Sequence, residues 1–339
     1  MTKQTTPNLL ERLAAGPVIC AEGYLFEFER RGYVSAGSFI PQIVLENPEL
    51  VEGLHREFVH AGSDVVEAFT YYAHREKLRS IGREADLEPM NRQALAIAKK
   101  VARETGSLFS GDICNTNIFD PADRSSAVTV RRMFDEQVGW AVDAGVDMII
   151  AETFYFASEA LIAVEAARAA GLTVVATLAV FDSGVMREGW SPAEACKRLE
   201  DAGASVVGLN CIRGPKTMLP LLREIRAAVS GHVAALPVPF RTHAHEPTFQ
   251  SLTDPGYDKF PGGRPYPTAL EPLTCNRFEV GDFAKEAYEL GVRYFGLCCG
   301  AGPQHIRGMA EALGRPSAAS RFSADMTKKK FVDNTVGLK

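Results

Sequence analysis

Several things are scarce in this 339-residue chain, and each scarcity removes a class of function. There is no basic surplus: 37 Lys and Arg against 42 Asp and Glu leave a net charge of -5. The only basic cluster is Lys328-Lys329-Lys330 near the end. A nucleic-acid partner is therefore not expected. No stretch approaches the roughly 20 apolar residues that a membrane helix needs, and Met1 to Arg12 lacks the apolar core of a signal peptide. The expectation is a soluble, cytoplasmic protein with no membrane partner. Cysteines stand at 20, 114, 196, 211, 275, 298 and 299, an odd number without a CxxC pair or disulfide-framework spacing. A reducing compartment fits that set. Finally, no GxGxxG follows the first apolar run, which argues against a dinucleotide-binding sheet.

What is present is a repeated joint. Ala61-Gly62-Ser63-Asp64-Val65-Val66, Ala144-Gly145-Val146-Asp147-Met148-Ile149, Ala202-Gly203-Ala204-Ser205-Val206-Val207 and Leu290-Gly291-Val292-Arg293-Tyr294-Phe295 share one form. Each is a helix closed by glycine and followed by a nearly continuous apolar strand, the αβ joint of a parallel sheet covered on both faces. Strands are expected at 18–21, 64–69, 108–112, 147–151, 173–178, 205–209, 232–236 and 294–297. Helices with recognisable starts lie between them, as at Asn47-Pro48-Glu49 and Ser191-Pro192-Ala193-Glu194. Eight such alternations predict an α/β (β/α)₈ TIM barrel, a single domain over residues 1–315 followed by a polar tail over 316–339.

In such a barrel the chemistry sits where strands end. There the sequence carries Glu22, Thr70-Tyr71-Tyr72, Glu152, Gly208-Leu209-Asn210-Cys211 and Gly296-Leu297-Cys298-Cys299-Gly300. Three thiols from two strand ends can hold Zn²⁺ while leaving a fourth tetrahedral position open. Two other readings of the cysteines stay open: small buried hydrophobes, or a disulfide between the neighbours Cys298 and Cys299. Glu152, set directly on an apolar strand, is expected to be functional; Glu22 reads equally well either way. His243 and His245, spaced by one residue, read as part of a substrate loop or a solvated turn rather than a metal pair.

With those residues in view, the chain resembles the zinc-dependent homocysteine S-methyltransferase family, in particular its betaine-using members. The resemblance runs from Leu9-Leu10-Glu11-Arg12-Leu13 through Arg30-Arg31-Gly32-Tyr33-Val34 and Leu54-His55-Arg56-Glu57-Phe58 to His305-Ile306-Arg307. It implies that Cys211, Cys298 and Cys299 bind Zn²⁺, that homocysteine's sulfur takes the fourth position, and that an onium donor supplies the methyl group. Glycine betaine leads among donors, with dimethylsulfoniopropionate, S-methylmethionine or a cyclic betaine as alternatives. It also implies that Glu152 binds homocysteine, with Glu22 beside Ala21, where the family has an Asp. For the donor cage it points to Tyr72, to Phe39 in place of a Trp and to Thr153 in place of a second Tyr. Leu297 replaces the second glycine of the family's Gly-Gly-Cys-Cys-Gly. The stretch after strand eight is short, so subunit pairing through a long C-terminal extension is not expected, while a homo-oligomer of another kind stays open. The competing classes are a non-catalytic zinc- or thiol-binding barrel and a zinc hydrolase, which an all-sulfur ligand set disfavours.

Overall fold

The structure, a computed structural model, describes residues 7–256, 259 and 261–323. Eight parallel strands close on themselves: β1 (Val18–Ala21), β2 (Val65–Glu67), β3 (Leu108–Cys114), β4 (Met148–Phe154), β5 (Thr173–Leu178), β6 (Val206–Asn210), β7 (His232–Leu236) and β8 (Val292–Leu297). Closure is made by β1 against β8, where Val18, Ile19, Cys20 and Ala21 pair with Tyr294, Phe295, Gly296 and Leu297. The expected (β/α)₈ barrel is thus the observed fold.

Helices cover the outside: α1 (Leu9–Ala15), α2 (Tyr24–Arg30), α3 (Ile43–Glu46), α4 (Pro48–Ala61), α5 (Arg75–Ser80), α6 (Leu87–Thr105), α7 (Arg124–Ala144), α8 (Ala157–Ala169), α9 (Pro192–Asp201), α10 (Pro215–Ala228), α11 (Arg277–Glu289) and α12 (Pro303–Ala312). The four glycines of the repeated joint, 62, 145, 203 and 291, all have positive φ, between 76° and 124°. A side chain there would strain the turn that feeds each strand.

Some boundaries differ from expectation. β2 is only three residues long, because Asp64 uses its carboxylate at the strand start: Oδ2 accepts from Ile19 N–H at 2.7 Å, and the same side chain pairs with Arg315. β3 and β4 run on to Cys114 and Phe154, so Glu152 lies inside a strand rather than after it. α1 was not anticipated. Asn8 and Glu11 close it in a reciprocal capping box, and Leu9 and Leu13, one turn apart, are buried. They seal the N-terminal end of the barrel over a core that includes Val18, Cys20, Met148, Ile150 and Tyr294. Burying each leucine contributes about 2 kcal/mol. Of the expected tail, Ala318–Phe322 forms a 3₁₀ turn with Ala319 buried, and Ser323 is bonded to Arg307 and Glu311. Residues 324–339 lie outside the described residues.

No described helix is long and apolar enough to cross a membrane.

Candidate active site

Strand side chains alternate between the barrel interior and the helices. The inward set is marked by the core residues Cys20, Val65, Leu108, Ile150, Val206 and Tyr294. Counting onward in twos brings Glu22, Glu67, Asp112, Glu152, Asn210 and Cys298 to the inside at the C-terminal mouth. The same parity sends Leu297 outward, where it is fully buried against the helical layer. Its departure from glycine therefore leaves the mouth unchanged.

The sulfur atoms of Cys211, Cys298 and Cys299 meet at this mouth, mutually within 4.8 Å and all buried. Cys298 Sγ and Cys299 Sγ are 3.9 Å apart, and all seven cysteines are free, so the neighbours form no disulfide. Sulfurs around a tetrahedral Zn²⁺ lie about 3.8 Å apart for bonds of about 2.3 Å, so this donor set fits a thiolate-bound metal. Its electrostatics fit as well. Hydrogen bonds from the Cys298 and Cys299 thiols pull the Cys211 thiol well below its usual value. Burial pushes Cys298 up, and donation to Cys211 pushes Cys299 up. The trio thus favours ionisation at Cys211 over its two neighbours.

The backbone is shaped for this. Cys211 and Ile212 have φ of 56° and 58°, so the chain leaves β6 through two left-handed non-glycine residues. Such residues cost energy and are held by their surroundings: Cys211 N–H donates to Leu236 O at 2.9 Å, and Arg213 N–H to Cys211 O at 2.6 Å. Gly300, φ 94°, closes the other thiol loop, and a Cβ on it would lie 2.5 Å from the Phe240 ring. Arg30 donates to the Gly300 carbonyl through both terminal nitrogens at 3.3 and 3.2 Å.

Beside the thiols lies an acidic layer. Glu152 Oε2 accepts from Asn210 Nδ2 at 2.6 Å and from Thr153 Oγ1 at 2.8 Å. Burial nevertheless pushes its carboxyl up to about 8, helped by the charge on Cys211. Glu22 is also buried, with Oε2 3.4 Å from the same amide nitrogen. Burial and the charge on Glu152 raise it well above the usual carboxylate range. The sequence reading missed Glu67 and Asp112, which share this layer. The signal was available: each is an acid at inward parity in a largely apolar strand.

The predicted cage residues divide. Tyr72, φ 59°, has its ring 4.3 Å from that of Tyr71, and its hydroxyl lies beside Tyr155. Phe39, φ 52°, stacks on Phe26 at 5.6 Å. Thr153 has a different set of neighbours. With φ 60°, its hydroxyl is bound between Glu152 and Asn210 Nδ2, the latter 2.7 Å away, so the hydroxyl joins the acidic layer. Tyr155 stands next to Tyr72. The loop after β7 adds Tyr266, whose ring meets that of Phe249 at 4.9 Å and whose phenol is pushed up by burial and by the nearby Cys299 and Cys211. Among the described residues six non-glycine positions have positive φ, and four of them are Phe39, Tyr72, Thr153 and Cys211. Strained backbone has collected where the sequence placed the chemistry. His243 is exposed and pairs with Glu246 at 2.9 Å in a solvated turn.

The family model described as homocysteine S-methyltransferase matches residues 23–313. A betaine–homocysteine S-methyltransferase of Xenopus tropicalis is 38% identical over 316 residues, covering 90% of this chain and 75% of the relative. An S-methylmethionine–homocysteine S-methyltransferase of Pongo abelii is 35% identical over 312 residues, covering 90% and 81%. Among solved structures, the metallated form of the homocysteine methyltransferase MmuM from Escherichia coli superposes with a TM-score of 0.68 at 19% identity, covering 88% of this chain and 98% of that one. At that identity the likeness speaks for the barrel alone. The match across most of the barrel, with the three converging thiols inside the matched region, makes this chain a methyltransferase and a member of the homocysteine S-methyltransferase family.

Proposed function

We propose that this protein transfers a methyl group from glycine betaine to the sulfur of homocysteine, giving methionine and dimethylglycine, with Zn²⁺ held by Cys211, Cys298 and Cys299. The observation that carries the reading is the meeting of three buried thiols beside a layer of buried acids. Zn²⁺ on thiolate ligands would supply a sulfur acceptor held as thiolate at neutral pH, where a free thiol is mostly protonated. The chain's own groups do the rest. Glu152, oriented by Asn210 and Thr153, accepts the ammonium of homocysteine. Glu22 adds a second carboxylate on the same side. Tyr72, Tyr155 and Phe39 offer aromatic faces to the donor cation, each worth up to about 2 kcal/mol when water is excluded. In the transfer a C–N bond breaks, its electron pair stays on nitrogen, and a C–S bond forms. Water and nucleophiles other than sulfur are kept away by the burial of the mouth.

A second donor class is favoured by a specific feature of the chain: Phe39 and Thr153 stand where the resemblance implies a Trp and a Tyr. S-methylmethionine and dimethylsulfoniopropionate are the candidates, and one relative is named for the former. The catalytic unit is the barrel over residues 1–315, acting in the cytoplasm.

The test is methionine formation by reduced, zinc-loaded protein from homocysteine and each donor in turn, with Cys299→Ala as the blank. Turnover with betaine above the blank supports the reading. Turnover with a sulfonium donor alone replaces the donor and keeps the acceptor. No methylation with any donor, from protein that retains zinc, points to a non-catalytic thiol-binding barrel.

A further inference from the structure

Four adjacent strands each bring one buried acid to the same layer: Glu22 just after β1, Glu67 at the end of β2, Asp112 in β3 and Glu152 in β4. Glu67 and Asp112 have no part in the function proposed above. Both are buried, at 2% and 4% exposure. Oε1 of Glu67 and Oδ1 of Asp112 have no hydrogen-bond partner, and neither has Oε1 of Glu22. Buried carboxylate oxygens without donors are costly, and such groups are retained where a ligand completes them. Burial and the neighbouring acids raise Glu67, and no group offsets that effect; Asp112 is offset only by Thr70.

All four acids line one small cavity together with Cys298 and Cys299. It offers about 20 Å³ for the centre of a water-sized sphere, room for a single ammonium-sized group. Oxygens of Glu67, Asp112 and Glu152 lie within 4.8 Å of one another, and Glu22, Glu152 and Cys298 form a second set within the same limit. A cation among the acids is therefore only a short carbon chain away from a sulfur beside Cys298.

We infer that Glu67 and Asp112 are substrate-binding residues, completing with Glu22 and Glu152 a carboxylate cup for the ammonium of the acceptor, and so restrict that acceptor to aminothiols. The inference rests on the assignment of homocysteine made above. An ammonium brings three N–H donors, and the layer has three buried oxygens without donors. No covalent bond changes in this step. A thiol lacking the amine leaves those oxygens unpaired, the situation in which a polar site rejects an analogue most strongly.

The experiment uses zinc-loaded full-length protein and calorimetric titration with homocysteine and with 4-mercaptobutanoate, which keeps the thiol and carboxylate but has no amine. Wild type is expected to bind homocysteine at least about 100-fold more tightly. Glu67→Gln and Asp112→Asn, near-isosteric changes that replace a carboxyl oxygen with an amide nitrogen, should each weaken homocysteine by about tenfold or more. Zinc content and the affinity for 4-mercaptobutanoate should stay unchanged. Equal weakening of both thiols, or no change for homocysteine, overturns the inference. So does a wild-type requirement for added K⁺, Na⁺ or Mg²⁺ that the variants abolish, since the cup would then hold an inorganic cation. A wild type that retains zinc but binds neither thiol defeats the homocysteine assignment itself, an outcome visible before any variant is made.

Discussion

Asn210 Nδ2 donates to Glu152 Oε2 at 2.6 Å, and the residue after Asn210 is Cys211. One short segment at the end of β6 therefore sets both the acid side and the sulfur side of the mouth. The backbone N–H of Thr153 also donates to Asn210 Oδ1, at 3.0 Å, so this amide ties β6 to β4.

Replacing Asn210 by Ala should separate these roles. Glu152 loses a strong hydrogen bond, and the expected fall in kcat/KM for homocysteine is about 10- to 100-fold. Zinc content, read by atomic spectroscopy, should remain near wild type, because all three sulfurs are intact. Loss of zinc in this variant would mean that the amide acts mainly on the thiol loop.

Cys211→Ala should abolish both zinc retention and methyl transfer, since two thiolates make a poor tetrahedral site. In wild type, chelation should add three thiols to those that iodoacetamide modifies and should lower Tm, because metal bound only by the folded state stabilises it. Unchanged alkylation after chelation would remove these cysteines from the ligand set.

The aromatic and acidic sides of the mouth should respond to different substrates. Tyr72→Leu and Tyr155→Leu are expected to raise KM for the onium donor about tenfold, the loss of roughly 1.4 kcal/mol of cation–π attraction, with little change for homocysteine. Thr153→Val should do the reverse, because its hydroxyl lies on Glu152 rather than in the cage. Steady-state kinetics with each substrate varied in turn decides the matter; a donor effect in Thr153→Val would restore this residue to the cage.

Glu159 offers a pH test away from the thiols. It is 2% exposed, and burial pushes its carboxyl up to about 7 despite hydrogen bonds from Thr116 N–H and the Thr116 hydroxyl at 2.8 and 2.5 Å. The folded state holds this proton more tightly than the unfolded chain, so the stability it contributes is full below pH 4.5 and is lost as pH rises through 7. That amounts to at most about 3 kcal/mol. Urea unfolding at pH 5 and pH 8 should show wild type losing more stability than Glu159→Gln by an amount of this order. Equal losses would show that Glu159 does not titrate in the folded protein.

Much of this site was legible in the chain because it depends on local order. A glycine that closes a helix, a run of apolar residues and a thiol at the end of that run follow one another within about ten positions, so the αβ joints and the cysteine positions can be read directly. Resemblance aligns positions in sequence, so it names Thr153 without saying what its hydroxyl meets or where Tyr155 stands. Which of two nearby residues faces the mouth is set by the left-handed turn at Thr153, φ 60°, and that turn is held by Asn210, 57 residues away. α1 escaped notice because seven residues make a weak periodic signal; the helix is stabilised by what Leu9 and Leu13 cover.

By itself, then, the sequence determined the (β/α)₈ alternation and which strands end in thiols and acids, since strand parity and glycine joints are local properties of the backbone. Only the tertiary structure decided that Glu67 and Asp112 share one layer with Glu22 and Glu152 and that all four line a single cavity. That convergence depends on the closure of β8 against β1 and on the parallel register of β1 through β4. Register between strands separated by a helix is set by packing across the whole barrel, and no segment carries it alone.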